Sequence, residues 1–311
     1  MDSAAPSFAD PEYPFLKRAL IRGIENLLGR RRLLPIYEVW RDQNVGFPPT
    51  MWSDLLRRIG IDLNVAATEN WPKSLPSSPL VVVANHPFGI ADGVAFLALA
   101  EQLGRPYRIL LNAGFMRLPE MQKFGLPIDF SESDEALATN LKTRAEARRL
   151  LKEGVAILIF PGGGVATAEN PLGKAEELPW KLFAARLIQQ TEAAVLPIYF
   201  EGQNSALFHF VSRYSLTLRL ALLIRQFERM MASKIDVHIG APMTPAEIAG
   251  IRSTQRLNEE LYIRVQKLAP GAEKLSREAM LPRPASERRL YPWDPVPRSD
   301  LDAAIKVVSN P

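Results

Sequence analysis

Val81-Val82-Val83 forms the centre of an unbroken apolar run, Leu80 to Ala84, that leads directly into Asn85-His86-Pro87. Short, β-branched runs of this kind are apolar on both faces, so such a strand is stable only inside a sheet covered by helices on both sides. Further apolar strands are expected at Tyr107 to Leu111, Val155 to Phe160, Ala194 to Phe200 and Lys234 to Ile239. Helical patterns separate them at Gly93 to Leu103, Asp134 to Lys152, Trp180 to Thr191 and Pro245 to Leu268. Strands alternating with helices predict an α/β fold with a mostly parallel, helix-covered sheet. Gly154 is placed to close the Asp134 helix.

Before the alternation, Tyr13 to Leu34 reads as a basic amphipathic helix. Phe15, Leu16, Ala19, Leu20, Ile24, Leu27 and Leu28 recur at helical spacing, and Lys17, Arg18, Arg22 and Arg30 to Arg32 face Glu25 alone in charge. Such a helix can lie on anionic lipid, or can pack on the core with a solvated basic face. Trp52 to Leu63 reads as another short helix. After Pro270, prolines at 282, 284, 292, 295 and 297 crowd a polar stretch that Tyr291 and Trp293 are expected to pin to the body. Three regions follow: a helical, membrane-associating segment over 1–64, the α/β domain over 65–269, and a Pro-rich tail over 270–311.

The chain has 311 residues, 47% of them hydrophobic, enough for a sizeable core. Cysteine is absent, which excludes disulfides, a thiol nucleophile and thiolate metal sites and suits a reducing compartment. The acidic residues Asp2, Asp10 and Glu12 and the lack of an apolar h-region argue against a secretory signal, and no stretch reaches the roughly 20 apolar residues of a spanning helix. A cytoplasmic protein, soluble or peripheral on the inner face of the membrane, is expected. The formal charge of +4 is too mild to argue for nucleic acid, and no stacking aromatics interleave the basic groups. Those groups, Lys142 to Lys152 on one helix and Arg213, Arg219, Arg225, Arg229 and Lys234 around Leu216 to Ile224, are expected to join the N-terminal helix. Together they would form a cationic rim for phospholipid headgroups or an acidic carrier protein.

The strand at Leu80 delivers His86 to a turn, with Asp92 six positions on across Pro87 and Gly89. Imidazole titrates near neutral pH and a carboxylate stabilises its protonated form, so the pair can act as general base and orienter. The other two histidines, His209 and His238, read as structural. Gly162-Gly163-Gly164 follows the Val155 strand and can aim N–H groups at an anion. It is not a nucleotide loop: Gly173-Lys174 is followed by Ala175, and Thr167 stands where a dinucleotide fingerprint starting at Gly162 needs glycine or alanine. A third loop, with Glu201, Gly202, Asn204 and Ser205, follows the Ala194 strand. All three lie at strand ends and are expected to share one face of the sheet, where α/β folds place ligands.

Together these motifs resemble the lysophospholipid (glycerol-phosphate) acyltransferase superfamily, and more closely its haemolysin-like bacterial branch. Asn85-His86-Pro87-Phe88-Gly89-Ile90-Ala91-Asp92-Gly93 fits that branch's Asn-His-Pro-x-Gly-x-x-Asp-Gly; Phe160-Pro161-Gly162-Gly163 and Glu201-Gly202-Gln203-Asn204-Ser205 match its later blocks, and the similarity runs from about Leu27 to Pro242. The resemblance implies transfer of a fatty acyl group from acyl-CoA or acyl-carrier protein to a lyso-lipid, in phospholipid or aminolipid synthesis. It implies His86 as base, Asp92 as orienter, no acyl-enzyme and no metal or bound cofactor. Asn85, Gly162, Gly163, Gly164, Glu201 and Asn204 are expected to bind substrate, with the glycine amides facing the headgroup or the oxyanion. The glycerol-phosphate enzymes carry Glu-Gly-Thr-Arg after Phe-Pro, where this chain has Gly162 to Val165, so the phosphate-holding arginine is absent. The branch's usual acidic residue is also missing at Gly164. Two alternatives follow: a lipid-binding protein of the same fold, and an acyl-thioester hydrolase.

Overall fold

A computed structural model describes residues 6–7, 9, 14–67, 71, 75–131 and 133–283. The chain begins with helices α1 (Phe15–Glu25), α2 (Arg31–Gln43) and α3 (Met51–Ile59), with a π-type turn kinked at Gly29 between α1 and α2. Strands and helices then alternate: β1 (Asp62–Ala67), β2 (Leu80–Ala84), α4 (Ile90–Ala100), β3 (Tyr107–Asn112), α5 (Pro119–Phe124), β4 (Gly125–Ile128), α6 (Asp134–Lys152), β5 (Ala156–Ile159), α7 (Phe183–Thr191) and β6 (Ala194–Phe200). The described chain ends with α8 (Ala206–Ser212), α9 (Leu216–Arg229), β7 (Lys234–Ile239), α10 (Pro245–Ala249), α11 (Thr254–Gln266) and α12 (Arg277–Met280).

The seven strands form one sheet in the order β1-β7-β6-β2-β5-β3-β4, parallel except for the β6–β7 pair. Alternation along β2 shows why the fold needs helices on both faces. Leu80, Val82 and Ala84 enter the core formed with Trp40, Trp52, Phe96 and Leu99, whereas Val81 and Val83 enter the core formed with Leu151, Leu187, Leu257 and Leu261. Each leucine or valine among them contributes about 1.5–3 kcal/mol on full burial, so the central strand is stabilised from both sides at once.

Two strands escape the sequence reading. β1 begins at Asp62, within the expected Trp52 helix and ahead of the boundary drawn at 64/65; α3 ends at Ile59, where Gly60 adopts a left-handed conformation. β1 is an edge strand with mostly exposed side chains, so it lacks an apolar signature. β4 is four residues long and includes Pro127. Helices α2 and α3 share the main core, with Trp40 Nε1 donating to Met51 O at 2.7 Å and the Trp40 and Trp52 rings 5.4 Å apart.

Helix α1 packs against α9, buries Ile21 and Glu25, and turns its leucines outward. Leu16, Leu20 and Leu27 are 79%, 64% and 83% exposed. The side packed on the protein is therefore not the leucine side, which amphipathic patterning alone would favour. Exposed Phe210, Tyr214, Leu216 and Leu218 lie on the neighbouring α8–α9 segment. No helix among the described residues is long and apolar enough to cross a membrane. The tail beyond Arg283, with Tyr291 and Trp293, lies outside the described residues; Arg283 itself pairs with Glu169 and Glu176 at 2.9 Å.

Candidate active site

β2 sits between β6 and β5 and runs parallel to both, so the segments after all three strands emerge at one edge of the sheet. The three expected loops therefore do meet. His86 leaves β2 after Asn85, and the chain reverses at Gly89, whose φ of +96° is open to glycine and strained for other residues. A Cβ there would also come within 2.9 Å of Leu223 Cδ2. Helix α4 starts at the next residue and places Asp92 in its first turn, fully buried, where the helix dipole favours a negative charge.

Asp92 Oδ2 accepts from Phe88 N–H at 2.8 Å and faces His86 Nδ1 at 3.1 Å. One oxygen thus fixes both the loop backbone and the imidazole. Because Nδ1 meets an acceptor, it carries the ring proton in the neutral form, and the Nε2 lone pair is left for a substrate proton. The imidazole stacks on Phe160, with ring centroids 4.0 Å apart and planes at 18°. Phe160 in turn packs beside Phe96 and Phe200, so helix α4 and strand β6 support the platform.

The backbone of His86 is held as tightly as its ring. Its carbonyl accepts from Ala166 N–H at 2.8 Å, and its N–H donates to Glu177 Oε1 at 2.8 Å. The other oxygen of Glu177 accepts from Trp180 Nε1 at 3.0 Å. Burial pushes the Glu177 carboxyl above the usual carboxylate range, while the two N–H donors pull the other way. Nothing in the sequence around Glu177 marks it, because its partner lies 91 residues away.

The expected substrate-binding residues divide into distinct roles. Asn85 is buried with its amide facing the Phe200 backbone, donating to Phe200 O at 2.8 Å and accepting from Phe200 N–H at 2.7 Å; it clamps β2 to β6. Asn204 is also buried and donates to Phe88 O at 3.2 Å, tying the third loop to the first. Glu201 is exposed and faces His238 Nε2 at 3.1 Å. In the glycine loop, Gly163 N–H closes a turn onto Phe160 O at 2.9 Å, and the loop lies against Leu178, Phe130 and Lys181. The Lys181 ammonium sits over the Phe130 ring at 4.7 Å, a cation that the sequence reading overlooked.

Arg219 is not part of a cationic rim. It is 5% exposed and donates to Val165 O, Thr167 Oγ1 and Ser212 Oγ, each at 2.7 Å, with its guanidinium 4.7 Å from the Phe208 ring. It anchors the segment just beyond the glycine loop. His209, fully buried, accepts from Ala168 N–H at Nδ1, and burial pushes its pKa down to about 4. Among the described residues, no group of three or more acidic or imidazole side chains is arranged to hold a metal ion.

Residues 62–201 match the family model described as Acyltransferase, from the first residue of β1 through the end of β6. This segment is similar to the acyltransferase family's domain. It contains His86, Asp92, Phe160, the glycine loop and Glu177. The chain is 28% identical over 158 residues to a lyso-glycine lipid O-acyltransferase of Phocaeicola vulgatus, covering 47% of this chain and 50% of that protein. It is 30% identical over 152 residues to the protein of that name from Bacteroides thetaiotaomicron, covering 47% of this chain and 51% of that protein. It spans about half the length of the curated relatives it matches. The solved 1-acyl-sn-glycerophosphate acyltransferase PlsC of Thermotoga maritima is similar at 20% identity and a TM-score of 0.46, over 72% of this chain and 76% of that chain.

Proposed function

We propose that this chain transfers an acyl group from an acyl thioester to a lyso-lipid hydroxyl, with His86 as general base and Asp92 as its orienter. The observation that carries the reading is the 3.1 Å contact between His86 Nδ1 and Asp92 Oδ2 at the end of the central strand of a segment similar to the acyltransferase family's domain. His86 Nε2 takes the hydroxyl proton as the acceptor oxygen attacks the thioester carbonyl. The C–S bond then breaks, and the leaving thiolate takes the proton back from the imidazolium. The acceptor attacks directly, so no acyl-enzyme forms, in keeping with a chain that has no cysteine. The amides of Gly162 and Gly164 are the oxyanion donors in this scheme, since the Gly163 amide is committed to its turn.

The acceptor in this proposal is an amino-acid lyso-lipid, the class named for the two relatives, rather than lysophosphatidate. Val165 stands where the glycerol-phosphate enzymes carry an arginine, and Lys181 supplies a cation beside the loop for an acidic headgroup or for the donor, acyl-CoA or acyl-carrier protein. The outward leucines of α1, beside exposed Phe210 and Tyr214, support a peripheral position on a membrane surface, its inner, cytoplasmic face.

The test is transfer by the purified chain from acyl-CoA or acyl-carrier protein to lyso-glycine lipid, lyso-ornithine lipid and lysophosphatidate, following ester and free thiol together. Acceptor-dependent thiol release, lost in a folded His86→Ala variant, is expected. Equal thiol release with and without acceptor would identify a hydrolase. Vesicle binding with no thiol release would identify a lipid-binding protein.

A further inference from the structure

Glu177 is a buried carboxylate whose two oxygens meet two different N–H donors, His86 N–H at 2.8 Å and Trp180 Nε1–H at 3.0 Å. It lies in the connection between β5 and α7, outside any helix or strand. Trp180 is itself buried, packs edge-on against Tyr262 with centroids 5.3 Å apart, and accepts at its carbonyl from Asn258 Nδ2 at 2.9 Å. Tyr262 and Asn258 belong to α11, which packs on the Val81–Val83 face of the sheet. A continuous buried path therefore runs from α11 through Trp180 and Glu177 to the backbone of the base.

A carboxylate is the group this place requires. It accepts only, and it does so at two oxygens, whereas an amide of the same shape would turn an NH2 toward one of the two donors. Burying a charge beside a second buried carboxylate, Asp92, does not favour folding by itself, so the arrangement stands out from ordinary core packing. Building on the acyl-transfer reading above, we propose that Glu177 is a positioning residue for His86: Asp92 holds the ring, and Glu177 holds the backbone that carries it.

The test compares Glu177→Gln, Glu177→Asp and the double variant E177Q/W180F in the full chain, by acyl-transfer kinetics and thermal melting. E177Q is expected to lose kcat on the order of a hundredfold, with KM for the acceptor kept, because displacement of a reacting group by a fraction of its working distance costs about that much. In E177Q/W180F the indole donor is gone, so the amide oxygen can turn to His86 N–H and kcat rises above that of E177Q. A merely structural residue predicts the reverse, with the double variant more impaired and activity following the melting temperature. That outcome, or wild-type kcat in E177Q, overturns the proposal. If E177Q does not fold, E177D serves in its place: it keeps two acceptor oxygens on a shorter arm, so reduced kcat with KM kept is expected, and wild-type kcat overturns the proposal. If the wild-type chain transfers no acyl group, the acyl-transfer reading fails and the Glu177 proposal is read instead from the His86 imidazole NMR signals, assigned with His86→Ala. Shifted or broadened His86 signals in the Glu177 variant support it, and unchanged signals overturn it.

Discussion

The imidazole of His86 lies flat on the ring of Phe160, with 4.0 Å between centroids. Two neighbouring strands thus meet through aromatic faces at the edge of the sheet, and Asp92 holds the ring from its Nδ1 side. Phe160→Ala removes one face of this support. A loss of roughly tenfold or more in kcat is expected, with a stability cost of about 2 kcal/mol for a half-buried aromatic. Phe160→Leu should restore most of the stability and less of the turnover. Steady-state kinetics set beside urea denaturation separates the two effects.

Asn85→Ala tests the clamp between β2 and β6. The substitution leaves Phe200 N–H and C=O without their buried partner. A destabilisation of about 2–4 kcal/mol is expected from two orphaned backbone groups. Were Asn85 instead a substrate contact, KM would rise while the denaturation midpoint stayed in place.

His209 makes stability depend on pH. Burial, with the nearby Arg219 charge adding to it, pushes its pKa down to about 4, against about 6.5 in the unfolded chain. Between those values the unfolded chain binds more protons, so this contribution is complete above about pH 6.5 and falls away as the pH drops toward 4, by about 3 kcal/mol in all. Denaturation midpoints measured from pH 7 to pH 4 should show a shallower decline for His209→Gln than for the wild type. Parallel curves would exclude His209 as the source.

The outward face of α1 and the turn that follows it carry the membrane reading. Replacing Leu16, Leu20 and Leu27 together with serine removes exposed apolar surface and should leave the melting temperature nearly unchanged. At about 1 kcal/mol for each leucine buried in lipid, affinity for anionic vesicles should fall on the order of a hundredfold. Sedimentation with vesicles measures this, and equal binding by the two proteins would remove α1 as the contact.

The site was partly legible because part of it is local. His86 and Asp92 lie on one strand-turn-helix unit, and the β-branched run, Pro87 and Gly89 each report their own conformation to a reader of the sequence. β1 and β4 were missed for a related reason: an exposed edge strand and a short strand containing proline carry little apolar periodicity. The ties that Asn85 and Asn204 make to Phe200 and Phe88 are not legible in the sequence, because an amide in a loop reads the same whether it meets a ligand or a backbone.

By itself, then, the sequence determined the helix-covered, mostly parallel sheet, the common face for the three loops, and the pairing of His86 with Asp92. Hydrophobic period and short-range turn chemistry act along the chain, so they can be read along it. The tertiary structure alone decided that Glu177 holds the His86 backbone across 91 residues, that Arg219 reaches Val165 across 54, and that Leu16, Leu20 and Leu27 face away from the core. Those outcomes depend on which buried polar groups can satisfy one another once the helices have packed, and that is a property of the assembled core rather than of any segment.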